Sequence, residues 1–496
     1  LSVSPTKENI ENRLMIGWAE AEITPDKPVF MAGMFHARLS EGVLDPITVT
    51  ALALQSGQEQ AVFVSCDVVT IPDELRDAVR DHLQGQADMD PMKVILHATH
   101  THSGPEIRVP SAIAGHTSVG GTGVELDGMA IEDYTAFAAK RIADAIVRAW
   151  KAKAPGAIGF GLGYAVIGRN RRWVGADGMV TKYNLQPSVC DHFRHIEGYE
   201  DHSVHVIAVY DSRSQMTGLV INVPCPSQLS ESEFSLSSDW WHEVRLELRL
   251  RFGEPLFLLP QCSAAGDLCP FPLYEQEANA RMLELKGQTD RQEIALRIAD
   301  AVSEIVPSIG KRIDYAPALR HAVKTIELPA TRLSEEDVES ARRETEAWKA
   351  VYEQEMQRLA EHPELMQKPR WYVTATDAYR RMRWNQNVIH RFEHQKANAT
   401  LPAELHMVQL GQVGFAANPF ELYLDYGVQI KARSPAIQTF VVQLAGGGTY
   451  LPSPRSVSGG GYGSIPASNP VGPEGGQMLV DQTIEGIRSI WVEQRN

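Results

Sequence analysis

Three histidines stand within six residues, at His97, His100 and His102, in the run Leu96-His97-Ala98-Thr99-His100-Thr101-His102-Ser103-Gly104-Pro105. Imidazole changes charge near neutral pH and is the commonest metal-binding side chain. A single histidine after an apolar strand is ordinarily a satisfied structural residue. Three together, beside Ser103-Gly104-Pro105, point to a metal site or to proton transfer. On an extended segment His100 and His102 would face opposite sides, because side chains alternate; in a loop they converge. One histidine on a metal with the other moving a proton is at least as natural as two ligands.

Other reactive groups share the same kind of position, each just after an apolar run. Cys225 follows Gly218 to Val223, and Asp267 with Cys269 follows Leu256 to Leu259. Glu421 follows Met407 to Ala416 through Asn418-Pro419, and Tyr450 follows Thr439 to Leu444. In α/β sheets, ligands bind beyond the carboxyl ends of strands. If these strands are neighbours, the listed side chains share one cleft.

The elements that must position them are legible from periodicity. Strands are expected at Ala61 to Val69, Lys93 to Leu96, Ser203 to Tyr210, Gly218 to Val223, Leu256 to Leu259, Met407 to Ala416 and Thr439 to Leu444. Many are apolar throughout, as strands buried on both faces are. Helical patterns at Ile131 to Trp150 and Ile294 to Ile305 alternate with them, which indicates an α/β class with mixed sheets flanked by helices. From Ser334 to His362 apolar residues recur at helical spacing after a Ser334/Asp337 capping box, and Pro363 ends the pattern. A second helical stretch runs from about Thr376 to Ala397. Together they read as a charged helical hairpin inserted in the fold, either a packing element or a lid. Gly446 to Ser464 is rich in Gly, Ser and Pro but lacks lysine and opens no helix, so it is not a phosphate loop. A final helix is expected from Met478 to Val492. The reading is of a single domain over 1–496.

Composition bounds the function. The chain has 496 residues, 43% hydrophobic and 22% charged, as in an ordinary globular protein. A net charge of −15 argues against nucleic acid as a partner. No apolar run reaches the roughly 18 residues of a membrane span. Leu1 is followed by no leader pattern, so the compartment is unknown. The five cysteines, Cys66, Cys190, Cys225, Cys262 and Cys269, are odd in number and form no CxxC pair, which argues against a disulfide framework.

His100-Thr101-His102-Ser103-Gly104-Pro105 resembles the signature loop of the neutral ceramidases. The similarity extends to Gly17-Trp18-Ala19-Glu20-Ala21-Glu22-Ile23-Thr24-Pro25, to Val62 through Asp67, to Asn170-Arg171, Gly266-Asp267 and Pro419-Phe420-Glu421, and to the tyrosines Tyr450 and Tyr462. It covers nearly the whole chain outside the Ser334 to Ala397 insertion. The resemblance implies one zinc held by two histidines, a glutamate and a tyrosine, of which His100, Glu421 and Tyr450 match. Where the family has the second histidine, in His-Pro, this chain has Cys225-Pro226, with Asp239 fourteen residues on as in the family. Cys225 is therefore the implied fourth ligand, with Asp239 or His242 as alternatives; a thiolate is a good zinc ligand but makes a weaker Lewis acid.

The resemblance also implies amide hydrolysis by metal-activated water, with His102 moving the proton, Arg171 and Tyr462 donating to the oxyanion, and Asp267 in the catalytic set. Cys269 replaces the family's serine and is read as a pocket residue. The chain is expected to lack the family's C-terminal immunoglobulin-like domain. The expected partner is a small-molecule or lipid-like N-acyl substrate, not necessarily ceramide. An esterase or lactonase on the same site, or a binding protein that keeps the fold, are the alternatives.

Overall fold

The computed structural model describes residues 13–492 apart from 87, 108–120, 179, 183–190 and 398, so Cys190 lies outside the described residues. Two sheets carry the architecture. In chain order the strands are β1 (Met15–Glu22), β2 (Thr48–Ser56), β3 (Glu59–Cys66), β4 (Val94–Ala98), β5 (Ala154–Tyr164), β6 (Ser203–Asp211), β7 (Met216–Val223) and β8 (Phe257–Cys262), then β9 (Leu319–Pro329), β10 (Thr400–Leu410), β11 (Val413–Ala417) and β12 (Gln438–Val442). The first eight form one sheet in the order β8-β7-β6-β5-β1-β2-β3-β4, and the last four form a second, β9-β10-β11-β12. Both are mixed. The edge pairs β3/β4, β7/β8 and β11/β12 are parallel and the other pairs antiparallel.

Period-two alternation explains the continuously apolar strands. On β3, Val62 and Val64 face the helices Asp73–Leu83 and Ile131–Lys151, while Phe63 faces the second sheet. Phe63 meets Phe415 at a ring-centroid distance of 4.5 Å, and Phe415 meets Phe440 at 5.0 Å. The other half of the large sheet packs Val206, Ile221 and Leu258 against the helices Trp240–Phe252 and Asp290–Ile309. The second sheet packs Met407 and Val441 against Leu424–Arg433 and Pro473–Ile490. The order of layers is helix, sheet, sheet, helix, which bears out the expected α/β class.

The large sheet curls. Ser65 on β3 donates through Oγ to the Pro260 carbonyl on β8 at 2.7 Å, although five strands lie between them in the sheet. The carboxyl ends of β3/β4 and β7/β8 are thereby brought together: His102 N donates to Ser227 O at 3.0 Å, and Ser227 Oγ to Thr99 O at 3.0 Å. The second sheet closes the group, since Ala98 N donates to Leu444 O and Gln443 N to Cys262 O.

Several expectations need correction. Met407 to Ala416 is two strands, not one. Gly411, at φ 63°, turns the chain between them, so that Leu410 pairs with Val413. β5 and β9 lack a clear apolar signal and go unseen in the sequence; β2, whose run Val49 to Leu54 is largely apolar, is a further strand outside those expected. In β5 the cause is chemical: Gly159 and Gly161 lie under the helix Asp290–Ile309, where an added Cβ would come within 2.5 and 2.8 Å of Ile309 side-chain atoms. Glycine permits that close approach while erasing the hydrophobic pattern. The Gly446 to Ser464 stretch is more ordered than a loop, with a short strand at Tyr450–Leu451 and a helical turn at Pro454–Gly459.

The helical hairpin is Glu335–Glu361 and Val373–His394, with the Ser334/Asp337 capping box in place and Pro363 opening a 3-10 turn. It leaves the second sheet after β9 and returns at β10, whose ends pair at Pro329 and Thr400. Among the described residues no helix is long and apolar enough to cross a membrane.

Candidate active site

His100 lies just past β4, in the left-handed backbone region at φ 63°. A residue with a Cβ pays about 1–2 kcal/mol for that conformation, and such strain marks positions where geometry is demanded. Its effect is to abolish strand alternation across Thr101. His100 and His102 therefore converge, with ring planes 86° apart and Nε2 atoms 3.4 Å apart. His100 Nδ1 lies 2.6 Å from the Val69 carbonyl, and its Nε2 lies 3.5 Å from Glu421 Oε2.

The loop is pinned on every side. Thr101 Oγ1 donates to Ser237 O at 2.8 Å, Ser103 Oγ to Ser230 O at 2.7 Å, and Arg38, fully buried, to the His102 carbonyl. Gly33, at φ 101°, lies against His102, where an added Cβ would come within 2.7 Å of the histidine side chain. His102 Nδ1 is 3.1 Å from Glu231 Oε2. Burial pushes the His102 pKa down, with the hydrogen bond to Glu231 opposing.

Glu421 and Tyr450 are neighbours because the two-residue strands Glu421–Leu422 and Tyr450–Leu451 pair in parallel. Burial would raise the Glu421 carboxyl, but His100, Arg171 and a hydrogen bond from Tyr450 hold it down to about 2. Tyr462 hydrogen-bonds Tyr450, their rings 5.4 Å apart, and the Arg171 guanidinium lies 5.3 Å from the Tyr450 ring. His100, His102, Glu421, Tyr450, Arg171 and Tyr462 thus share one buried neighbourhood.

Asp267 stands behind it. Its Oδ1 accepts from Leu424 N at 2.9 Å and its Oδ2 from Asn170 Nδ2 at 3.2 Å, while Arg171 donates its backbone N–H to Asp267 O and its Nη2 to Gly266 O. Burial raises the Asp267 carboxyl to about 6. It fixes the Asn170-Arg171 turn and the Leu424 turn beyond Glu421.

Cys225 is fully buried among Val223, Trp240 and Leu258. Its Sγ lies 3.4 Å from the Pro226 carbonyl, and burial, with Cys262 and Cys269 adding, drives the thiol well above its ordinary pKa. No group of three His, Cys, Asp or Glu that contains it has ligating atoms within 4.8 Å of one another among the described residues. Asp239 caps the helix Trp240–Phe252, accepting from Trp240 N at 2.8 Å and Ser230 N at 2.6 Å. His242 lines a separate surface cleft with Glu20, Glu22 and Arg245. Cys269 Sγ lies 3.5 Å from Phe271 O, its thiol raised to about 11 by burial.

Sequence reasoning missed Gln228, Glu231 and Trp384. Trp384, on the helical hairpin, packs on Tyr462 at 5.8 Å and on Phe35 at 5.1 Å, so the hairpin roofs the site. It also missed a surface group. His390, Glu393 and His394 have ligating atoms that all lie within 4.8 Å of one another, and all three are exposed.

By sequence, the chain matches no protein-family model and no curated protein. By structure it is similar to the neutral ceramidase from Pseudomonas aeruginosa, with a TM-score of 0.65 and 15% identity over 98% of this chain and 76% of that one. It is also similar to a ceramidase complexed with C2, with a TM-score of 0.62 and 14% identity over 98% and 77%. The fold is neutral-ceramidase-like.

Proposed function

We propose that the chain is a zinc-dependent hydrolase that cleaves an N-acyl bond of a small or lipid-like substrate. The observation that carries this reading is the setting of His100, whose Nδ1 is fixed on a backbone carbonyl and whose Nε2 is aimed beside Glu421 from a strained backbone. With the Tyr450 hydroxyl next to Glu421, imidazole, carboxylate and phenol form a nitrogen and oxygen donor set that suits zinc. Cys225, the fourth ligand that the resemblance implies, finds no support in the position of its thiol.

Zinc bound there would supply an activated water and a polarised carbonyl. The chain's own groups do the rest. Arg171 and Tyr462 flank Tyr450 and serve as donors to the oxygen that becomes negative as the carbonyl is attacked. Such a donor contributes about 3–4 kcal/mol. The proton of the attacking water passes to the His102–Glu231 pair and returns to the leaving amine. Trp384 and Phe35 back Tyr462 and exclude water from that side.

The purified protein is expected to hold about one zinc per chain, as a mononuclear site requires. Chelation should abolish hydrolysis of N-acyl compounds. Hydrolysis that survives complete metal removal sinks the reading, and a panel in which only esters or lactones are cleaved replaces the amide with those bonds.

A further inference from the structure

We propose that His102 completes the metal's ligand set in place of Cys225, with Glu231 holding the other nitrogen of its ring. The proposal rests on the zinc reading above and goes beyond it by reassigning a ligand.

The argument is one of proton positions. A backbone carbonyl only accepts, so His100 Nδ1, 2.6 Å from Val69 O, carries a proton. A carboxylate likewise only accepts, so His102 Nδ1, 3.1 Å from Glu231 Oε2, carries one too. In the neutral rings both Nε2 atoms are then bare lone pairs. They face each other at 3.4 Å, and His100 Nε2 also faces the Glu421 carboxylate at 3.5 Å. His100 Nε2 thus faces two acceptors, His102 Nε2 and the Glu421 carboxylate, and these contacts are repulsive unless a metal cation or a second proton on His100 lies between them.

Gln228 does not relieve the conflict. Its Nε2 is 3.1 Å from His102 Nε2 and 3.4 Å from Nδ1. An atom so nearly equidistant from both ring nitrogens lies off the lone-pair axis of either.

The supports match what ligating histidines need. A histidine on a metal donates its second N–H to a carbonyl or a carboxylate, which fixes its tautomer and orientation. His100 has the carbonyl and His102 the carboxylate. The three donors form a chain with His100 in the middle and not a closed triangle, since they are not all within 4.8 Å of one another. With the His102 ring held by Glu231, a metal bound by all three requires the Glu421 side chain to turn toward His102. The change from the family's histidine to Cys225 is then compensated from within the His100 loop. A ligated His102 no longer takes a proton, and that task passes to the Glu231 carboxylate beside it.

Cobalt(II) substituted for zinc in the full-length protein gives the test. A thiolate ligand produces a sulfur-to-cobalt charge-transfer band in the near ultraviolet; a nitrogen and oxygen set does not. The wild type should show no such band. In competition with a chromophoric chelator, Glu231→Gln should bind zinc about 10–100-fold more weakly. His102→Ala should lose at least as much, and Cys225→Ser should bind as the wild type does. A cobalt–thiolate band, or full zinc affinity in folded His102→Ala, overturns the proposal and leaves the zinc reading standing. A wild type that binds neither metal overturns both. The band is read on the wild type, so the test survives a His102 variant that fails to fold.

Discussion

Two of the histidine pairs among the described residues differ in almost every respect but chemistry. His100 and His102 are buried, sit on a strained loop, and have their Nδ1 atoms on Val69 O and Glu231. His390 and His394 are exposed, four apart on a regular helix, with rings 4.2 Å apart and His394 Nδ1 on the His390 carbonyl. By proximity of ligating atoms alone the exposed pair, with Glu393, is the better cluster. Proximity is what a helix gives freely to residues at that spacing. What it does not give is exclusion of water and a fixed tautomer for each ring, and those are what the buried pair has.

The comparison is open to attack. Its largest expected effect is His100→Ala, which should remove zinc and lower activity by more than about a thousand-fold, beyond the loss of any single oxyanion donor. Retained zinc in that variant, measured by elemental analysis, would hand the metal to the exposed pair. Tyr462→Phe should lower kcat by about 100–1,000-fold with zinc content unchanged. Zinc lost along with activity would make Tyr462 a ligand.

Burial around the first pair should also show in stability. The Asp267 carboxyl is raised by burial to about 6, so the folded state holds its proton where the unfolded chain has already released it. That contribution is fully present below the unfolded value near 4 and is lost as pH rises through about 6, up to about 3 kcal/mol. Asp267→Asn should flatten this part of the profile in denaturant melts from pH 4 to 7. The smallest effect is expected from His390→Ala with His394→Ala: activity within about two-fold, stability within about 0.5 kcal/mol as for surface changes, and weaker retention on immobilised nickel.

The sequence reveals the buried half of this comparison well. Apolar runs followed by His100, Glu421 and Tyr450 suffice to place all three beyond strand ends. The His-x-His alternation leaves open whether the rings converge, because only φ at His100 decides it. Glu231 is invisible for a different reason. It lies in the run Ser227-Gln228-Leu229-Ser230-Glu231-Ser232-Glu233, which has no periodicity and reads as an ordinary polar loop. β5 is hidden by the glycines that let a helix press on it, and β9 by its exposed residues Arg320, Lys324, Thr325 and Glu327, which fall on both faces and interrupt the apolar pattern.

The helical hairpin departs from the second sheet and returns to it at the adjoining strand, with Pro329 opposite Thr400. A structure attached in that way can be lengthened, shortened or exchanged while the register beneath it stays fixed. The wall that holds Trp384 over Tyr462 can therefore change without disturbing the strand pairing beneath it. Chains with the same reactive groups can differ in what they admit simply by differing there.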